Sequence, residues 1–213
     1  MDLSSRIPTV IDGAVKMFRN KKRYVVDTYG AEVLRETAAP IPEITDGIRS
    51  LAQQMWETMR CFDGIGLAAP QVGKALRLVV LGVPPESISE EPSPGELALL
   101  PRMPLVLVNP EIISYSEDEN VRDEGCLSVP EIYAPVRRPS RVVLRSQLLD
   151  GTVITEECGG LLGRCIQHEL DHLDGKLFVD RVDKEDLAEV AADLRRLERY
   201  GAKHHFRRVA TVR

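Results

Sequence analysis

Residues 167–175 read QHELDHLDG, and within them His168, Glu169 and His172 form the pattern H-E-x-x-H. Residues four apart lie on one face of a helix, so both imidazoles can bind one metal ion. The glutamate between them would lie near a water on that ion, where a carboxylate can accept or return a proton. The spacing predicts metal-assisted hydrolysis, and it leaves open the third ligand and the bond that is cut.

A catalytic tetrahedral site has three protein ligands and one open position. The candidates for the third ligand all carry a donor atom: His204, His205, Glu185, Glu189, Glu198, Cys158, Cys165 and Cys126. The first five lie in a basic tail or on a charged helix. Cys165 lies about 10 Å along the helix from His172, too far for one ion to bind both. The stretch DEGCLSVP favours Cys126, because Gly125 lets a ligand approach the backbone, while Cys158 stays open as an alternative.

The pattern lies in a segment of helical periodicity from about residue 160 to residue 174, and Gly175 is suited to end that helix. The helix is apolar nearly all round, which is typical of a buried element. Antiparallel strand patterns precede it and a last helix follows. We therefore expect an α+β fold, with antiparallel β-sheets packed around a central metal-binding helix and a C-terminal helix.

Other elements are predicted from periodicity and turn signals: a helix over about 46–60 with Thr45 as N-cap, strands at 76–83 and 105–116, and a last helix over roughly 183–200. Asp150-Gly151 predicts a type I′ turn between two strands. Residues 84–104 are rich in Pro, Glu and Ser, which predicts an exposed loop.

The chain has 213 residues, enough for one domain with a sizeable core. Its net charge of −5 gives no reason to expect binding to DNA or to an anionic membrane. No stretch approaches the roughly 20 apolar residues of a membrane span, and the N-terminus lacks a secretory signal. The four cysteines are too few and too irregular for a disulfide framework. We expect a cytoplasmic protein.

Three stretches occur in order along the chain: GIGLAAPQ at 64–71, EGCLS at 124–128 and QHELDHLDG at 167–175. Together they resemble the peptide deformylases, metal hydrolases that remove the formyl group from N-formylmethionine at the start of new bacterial proteins. The resemblance runs from about residue 25 to residue 183. We expect an N-terminal extension at 1–25, a catalytic domain at 26–183, and a C-terminal helix and basic tail at 184–213.

The resemblance implies that Cys126, His168 and His172 bind one divalent metal ion, with a water in the fourth position. It points to Fe(II) as the native metal. Neutral histidines and a thiolate also suit Zn(II) by general ligand rules, and Ni(II) or Co(II) can occupy such a site.

The resemblance also implies a mechanism. Glu169 would accept a proton from the attacking water and deliver it to the departing amine. The side-chain amide of Gln71 and the backbone N–H of Leu127 would stabilise the oxyanion that forms from the formyl oxygen. The substrates would be nascent N-formylmethionyl peptides and the product formate.

Substrate contacts are expected from residues near these groups. Ile65, Leu161 and Cys165 are candidates for an apolar pocket that takes the methionine side chain. The rest of the peptide is expected to bind as an added strand, with Ile65, Gly66 and Gly125 supplying backbone groups.

Three further positions bear on the resemblance. Glu124 matches an acid of the family's motif that pairs with an arginine, matched here by Arg138. Tyr133 stands where some members have an arginine near the outer part of the substrate, so we expect no cationic anchor there. Arg164 replaces an apolar residue that some members have at the pocket rim, while other members share the arginine.

The tail at 201–213 has no acid and four basic residues: Lys203, Arg207, Arg208 and Arg213. We interpret it as a solvated or disordered end, with contact to ribosomal RNA near the nascent chain as the alternative. The residues alone leave two rival functions open. One is a metallopeptidase that cuts internal bonds, and the other is a structural zinc domain without catalysis.

Overall fold

The structure is a computed structural model that describes the backbone of residues 25–204 and 207–209 and the side chains of residues 25–199. Its described α-helices are α1 (Asp46–Arg60), α2 (Pro94–Leu99), α3 (Gly160–Leu173) and α4 (Lys184–His204). Its described strands are β1 (Val25–Asp27), β2 (Gly66–Ala68), β3 (Leu78–Leu81), β4 (Leu105–Tyr115), β5 (Glu119–Cys126), β6 (Val129–Pro139), β7 (Val142–Gln147), β8 (Val153–Cys158) and β9 (Arg207–Val209).

An antiparallel sheet of five strands, in the order β2-β3-β4-β7-β8, lies between two helices. Side chains of β3 alternate between its faces, so each face can pack on a different helix. Val79 lies in one core cluster with Ile166 of α3. Leu78 lies in a second cluster with Met55 of α1. The predicted α+β fold is confirmed, with α3 at its centre.

α1 begins and ends where its sequence signals indicate. The Thr45 hydroxyl oxygen accepts a hydrogen bond from Ile48 N at 3.4 Å, as an N-cap does. Leu51, Met55 and Met59 are buried along one stripe of the helix. The predicted bounds and the N-cap are confirmed.

β5 and β6 form a separate antiparallel sheet. Gly125 pairs with Tyr133, and the register then shifts before Cys126. Buried residues of β6 share a core cluster with Phe178 and with Leu194 of α4. The hairpin is thereby fixed to the C-terminal part of the chain, which also contains α3.

The prediction of an exposed loop at 84–104 is wrong for its second half, where α2 forms. Glu96 N donates to Ser93 Oγ at 3.3 Å, and Ser93 N donates to the Glu96 carboxylate at 2.9 Å, which is a capping box. Gly159 N, at the start of α3, also donates to Ser93 Oγ at 2.9 Å. α2 therefore supports the N-terminus of α3. The S-x-x-E pattern of residues 93–96 is the signal in the sequence that indicates this helix start.

The predicted hairpin between β7 and β8 is confirmed, but its type I′ turn is wrong. That turn needs a positive φ at both central residues. Of Asp150 and Gly151, only Gly151 has one, at 89°. The Asp150 side chain instead accepts a hydrogen bond from Thr152 N at 2.9 Å, in a loop that is closed by Leu148 N and Thr152 O at 2.8 Å.

The C-terminal helix is longer than predicted, since α4 ends at His204. β9 follows and pairs antiparallel with β1, so a disordered end is the wrong interpretation for residues 201–204 and 207–209. Val25, expected in the N-terminal extension, is the first residue of β1. The rest of the extension and of the tail lies outside the described residues. No described helix combines the length and the apolar character of a membrane span.

Gly175 follows α3 with a φ of 70°, a conformation that glycine adopts at little cost. A Cβ at this position would lie 2.6 Å from the carbonyl oxygen of Arg35. We expect Gly175→Ala to lower the free energy of unfolding by roughly 2–4 kcal/mol, because left-handed strain adds to the clash. Urea denaturation measures the change.

Gly47→Ala is the matched control. Gly47 is exposed in the first turn of α1, and within 4 Å its Cβ would meet Thr45 Oγ1 alone, at 3.4 Å. Alanine has the higher helix propensity, so stability should stay the same or rise by up to about 1 kcal/mol. Wild-type stability in Gly175→Ala would contradict the prediction.

Candidate metal centre

Three donor atoms converge where the end of β5 meets α3. Cys126 Sγ and one ring nitrogen each of His168 and His172 lie within 4.8 Å of one another. Cys126 Sγ and His172 Nε2 are 3.2 Å apart. Ligand bonds of about 2.0–2.3 Å to one ion bring donors to such separations, so these residues fit a metal ion. Among the described residues, no other group of three His, Cys, Asp or Glu side chains comes this close together.

The two histidines differ in their tendency to take up a proton. Burial, and then the neighbouring His168, lowers the pKa of His172 well below its usual value, which leaves the neutral ring that a metal binds. Burial also opposes protonation of His168, but hydrogen bonds with Cys126 and Glu124 outweigh it and raise the pKa of His168. A cation at the three donors would compete with that proton.

Glu124 orients His168. Its Oε2 lies 2.9 Å from His168 Nδ1, which directs the other ring nitrogen toward the donor set. Arg138 donates to both carboxylate oxygens, from Nε at 2.6 Å and from Nη2 at 2.8 Å. Burial alone would raise the pKa of Glu124, but the hydrogen bonds from Arg138 and His168 hold it well below its usual value. The structure contains the Glu124–Arg138 pair that the resemblance implied.

Asp171 belongs to this network, and sequence reasoning missed it. Its carboxylate accepts hydrogen bonds from Arg138 Nη1 at 2.8 Å and from Arg181 Nε at 2.6 Å. Asp171 lies three residues after His168, on the same face of the helix one turn further along, and this spacing is the signal that could have indicated its role. Phe178 was also missed. Its ring stacks on His168 with the centroids 6.1 Å apart, and no local pattern announces that contact.

Arg164 points into the protein. Its Nη1 donates to Glu124 Oε1 at 2.7 Å and to Val136 O at 3.1 Å, and its Nη2 donates to Asn120 O at 3.0 Å. The residue borders the cavity, but it is only 8% exposed. Its charge is therefore engaged by Glu124 and is not displayed at a rim.

Glu169 is buried beside the donors. It is 4% exposed, and its Oε2 has no hydrogen-bond partner among the described residues. Burial, opposed by the charge of His168, raises the pKa of Glu169 to about 7. Such a carboxylate can accept and return a proton near neutral pH. Gly66 makes room for it, since a Cβ at that position would overlap Glu169 Oε1.

Gln71 is fixed with its amide nitrogen toward Cys126. Its Oε1 accepts a hydrogen bond from Ala68 N at 2.8 Å. Its Nε2 donates to Ser128 Oγ at 3.2 Å and lies 3.5 Å from Cys126 Sγ. Gln71 and Leu127 both border the cavity beside the donors, where an oxyanion site needs its N–H groups.

A cavity of about 400 Å³ contains these groups, a volume within the usual range for small-ligand sites. The apolar candidates Ile65, Leu161 and Cys165 all line it. Burial, followed by the charge of Glu169, raises the pKa of Cys165 well above its usual value. Cys165 is therefore a neutral thiol and unsuited to bind a metal.

The expected strand contacts, Gly66 and Gly125, also border the cavity. Gly125 has a specific need for glycine, because a Cβ there would overlap the ring of Tyr133. Tyr133 is 68% exposed at the cavity mouth, and it offers a flat aromatic surface in place of a cationic anchor.

The remaining candidates for the third ligand lie elsewhere. Cys158 is buried near Gly95, and burial raises its pKa to about 12. His204 and His205 lie outside the residues whose side chains are described. The glutamates of α4 join no donor group of the described residues: Glu185, Glu189 and Glu198.

Comparisons with known proteins point to one family. The family described as polypeptide deformylase matches residues 24–188 of the chain. A peptide deformylase 2 of Gloeobacter violaceus is 51% identical over 165 residues, which cover 78% of this chain and 82% of the relative. A peptide deformylase of Rhodopseudomonas palustris is 41% identical over 171 residues, covering 80% of this chain and 92% of the relative.

Solved structures agree. The crystal structure of a peptide deformylase from Thermotoga maritima has a TM-score of 0.65 at 35% identity, covering 76% of this chain and 98% of its own. The peptide deformylase of Synechococcus elongatus, crystallised with actinonin, has a TM-score of 0.69 at 39% identity, covering 82% of this chain and 90% of its own.

Loss of Arg138 should destabilise the fold, because it removes a cation from two buried carboxylates, Glu124 and Asp171. Breaking one side of a buried ion pair typically costs 3–5 kcal/mol. Arg164 and Arg181 remain in place, so we expect Arg138→Met to lower the free energy of unfolding by about 3 kcal/mol, as measured by urea denaturation.

Arg141→Met provides the comparison. Arg141 pairs with Glu157 at 3.0 Å, and both side chains are more than 40% exposed. Such surface pairs contribute less than about 1 kcal/mol. Equal losses of stability in the two variants would contradict a special role for the buried network.

Proposed function

The chain belongs to the peptide deformylase family, and we propose that the residues around Cys126, His168 and His172 carry out that family's reaction. The protein is a metal-dependent hydrolase that removes the formyl group from N-formylmethionine at the N-terminus of newly synthesised proteins and releases formate. One observation carries the assignment of residues. The donor set adjoins a cavity that is also bordered by a buried carboxylate, Glu169, and a fixed amide, Gln71.

The family uses a single divalent metal ion, and we assign it to the thiolate of Cys126 and the imidazoles of His168 and His172. When bound, the ion would act as a Lewis acid that lowers the pKa of a water molecule and polarises a carbonyl group. We propose Fe(II) as the native metal, which rests on the resemblance of the motifs to those of the family. The donor set by itself suits Zn(II) as well and accepts Ni(II) or Co(II).

Glu169 transfers the proton. Its carboxylate takes the proton of the attacking water and returns it to the departing amine as the bond from the formyl carbon to nitrogen breaks. Its burial and its pKa of about 7 support this role. Gly66 supports it as well, because the missing side chain leaves space for the carboxylate.

Gln71 and Leu127 stabilise negative charge on the formyl oxygen. The bond from Ala68 N to Gln71 Oε1 fixes the amide, so its Nε2 is the end that can donate into the cavity. The backbone N–H of Leu127 is the second donor. Loss of one such donor typically reduces the rate by about 10²–10³.

The methionine side chain binds against Ile65, Leu161 and Cys165, the apolar part of the cavity wall. The following residues of the peptide bind as an added strand along Ile65, Gly66 and Gly125. Main-chain hydrogen bonds suit a substrate whose sequence varies from one protein to the next.

We assign the catalytic domain to residues 26–183, between an extension at 1–25 and the C-terminal helix and tail at 184–213. The family match over residues 24–188 supports this division. A cytoplasmic location follows from the substrate, because nascent chains carry their formyl group where they are made.

The basic tail offers a contact to ribosomal RNA, a proposal that its charge supports. Replacing its four basic residues with Gln should weaken cosedimentation with ribosomes at about 50 mM salt more than at about 200 mM. The residues replaced are Lys203, Arg207, Arg208 and Arg213. A variant with four exposed basic residues replaced elsewhere should bind as the wild type does: Lys74, Arg102, Arg122 and Lys176. Unchanged binding of the tail variant would contradict the proposal.

The direct test is formate release from a short N-formylmethionyl peptide by anaerobically prepared Fe(II) protein. We expect Glu169→Ala to keep its metal, by elemental analysis, and to lose activity by at least about 10²-fold, because the proton acceptor is gone. Cys126→Ala should lose the metal itself, since two histidines alone are an incomplete site.

Cys158→Ala is the control for Cys126→Ala, because it removes a buried thiol away from the donors and should retain both metal and activity. Absence of formate release from folded, metal-loaded protein would contradict the proposed function and favour a structural zinc domain. Cleavage of internal peptide bonds would favour a metallopeptidase.

A further inference from the structure

The mouth of the cavity carries negative charge on both sides. Five of the residues that border the cavity are exposed: Asp63, Asp123, Glu131, Tyr133 and Leu161. Three of the five are carboxylates, which we call the acidic rim. Asp63 lies just before β2 on one side of the cavity, while Asp123 of β5 and Glu131 of β6 lie on the other.

The acidic rim is not neutralised from within. The side chains of Asp63, Asp123 and Glu131 form no hydrogen bond or ion pair with another described residue. Some exposed carboxylates of the protein are paired with arginines, as Glu157 is with Arg141, but these three are not. The charge of the rim therefore acts on whatever passes through the mouth.

The cavity wall offers no opposing charge at the mouth. Among the described residues, Arg164 is the only lysine or arginine that borders the cavity, and Glu124 engages its buried guanidinium. Arg122 precedes Asp123 on β5, but successive residues of a strand point to opposite faces, and Arg122 does not border the cavity.

The substrate must pass this rim. In the proposed function, the formyl group and methionine occupy the inner end of the cavity, beside the donors and Cys165. The buried Oε2 of Glu169 also lies there, and it has no hydrogen-bond partner among the described residues. The peptide beyond methionine leaves through the mouth. Its first residues therefore lie closest to Asp63, Asp123 and Glu131.

We propose that the acidic rim selects among formylmethionyl peptides by charge, favouring lysine or arginine directly after methionine and disfavouring aspartate or glutamate. The proposal rests on the proposed function of the site. Exposed charge pairs each contribute a small factor, and three carboxylates together lead us to expect a preference of about tenfold at low salt. The acidic rim lies near substrate residues that are away from the reacting bond. We therefore expect the preference to change KM and not kcat.

The test compares kcat/KM for three peptides, formyl-Met-Lys-Lys-Ala, formyl-Met-Gln-Gln-Ala and formyl-Met-Glu-Glu-Ala, by formate release. At about 10 mM salt, where the screening length is about 30 Å, the lysine peptide should exceed the glutamate peptide about tenfold, with the glutamine peptide between them. At about 150 mM salt, where that length is about 8 Å, the ratio should fall toward one.

The decisive variant removes the charge and keeps the shape: Asp63→Asn, Asp123→Asn and Glu131→Gln together. Asparagine tolerates the φ of 54° at position 63. The ratio between the lysine and glutamate peptides should collapse to about one. The control replaces three exposed carboxylates away from the cavity and should keep the wild-type ratio: Glu117→Gln, Glu119→Gln and Glu189→Gln.

Equal kcat/KM for the three peptides in the wild type would overturn the proposal while leaving the deformylase function intact. A preference that survives in the triple variant would also overturn it, because the rim would not be its source. The affinity of metal-loaded Glu169→Ala for the same peptides, measured by calorimetry, tests the charge preference without turnover. The charge preference can therefore be tested even if the proposed reaction does not occur. Equal affinities for the three peptides would contradict selection by the acidic rim.

Discussion

The buried ion pair between Glu124 of β5 and Arg138 of β6 lies within the hairpin, and both of its members also bond α3, which brings the donors of the candidate metal centre together. Both side chains are almost fully removed from water, where an unpaired charge would cost several kcal/mol. Glu124 bonds His168 and Arg138 bonds Asp171, one turn further along α3, and Arg164 of α3 also bonds Glu124, so the hairpin is attached to α3 along two turns of the helix. Cys126 ends β5, and its thiol reaches the histidines because the strand that carries it is held there.

A second constraint is the absence of a side chain at Gly66. The Glu169 carboxylate and the Cys165 thiol occupy the space that a Cβ would need. Close packing of this kind excludes water, and the loss of solvation keeps both groups neutral to a higher pH than usual. The centre thereby combines one thiol that can bind a metal, Cys126, with another that stays protonated.

Features with a local signal could be predicted from the sequence. Thr45 and its apolar stripe set the bounds of α1, and helical spacing placed His168 and His172 on one face of α3. Contacts between distant residues carry no such local signal, and those that were expected, such as Glu124 with Arg138, came from the resemblance to the family. Arg164 and Glu124 are 40 residues apart in the chain. No sequence periodicity indicates that the guanidinium of Arg164 points inward and donates to the carboxylate of Glu124. α2 is a different case, because its capping signal is short and lies in a segment whose Pro-rich composition is typical of a loop.

The capping box of α2 divides the segment between β3 and β4 into two parts with different freedom to vary. Ser93 holds the backbone of Gly159, and the Glu96 carboxylate accepts hydrogen bonds from Ser93 and Ser89. A change in length between residues 84 and 88 should therefore leave the start of α3 in place. A length change after Ser89 would loosen the start of the helix that carries His168 and His172, so we expect insertions to be tolerated on only one side of this boundary.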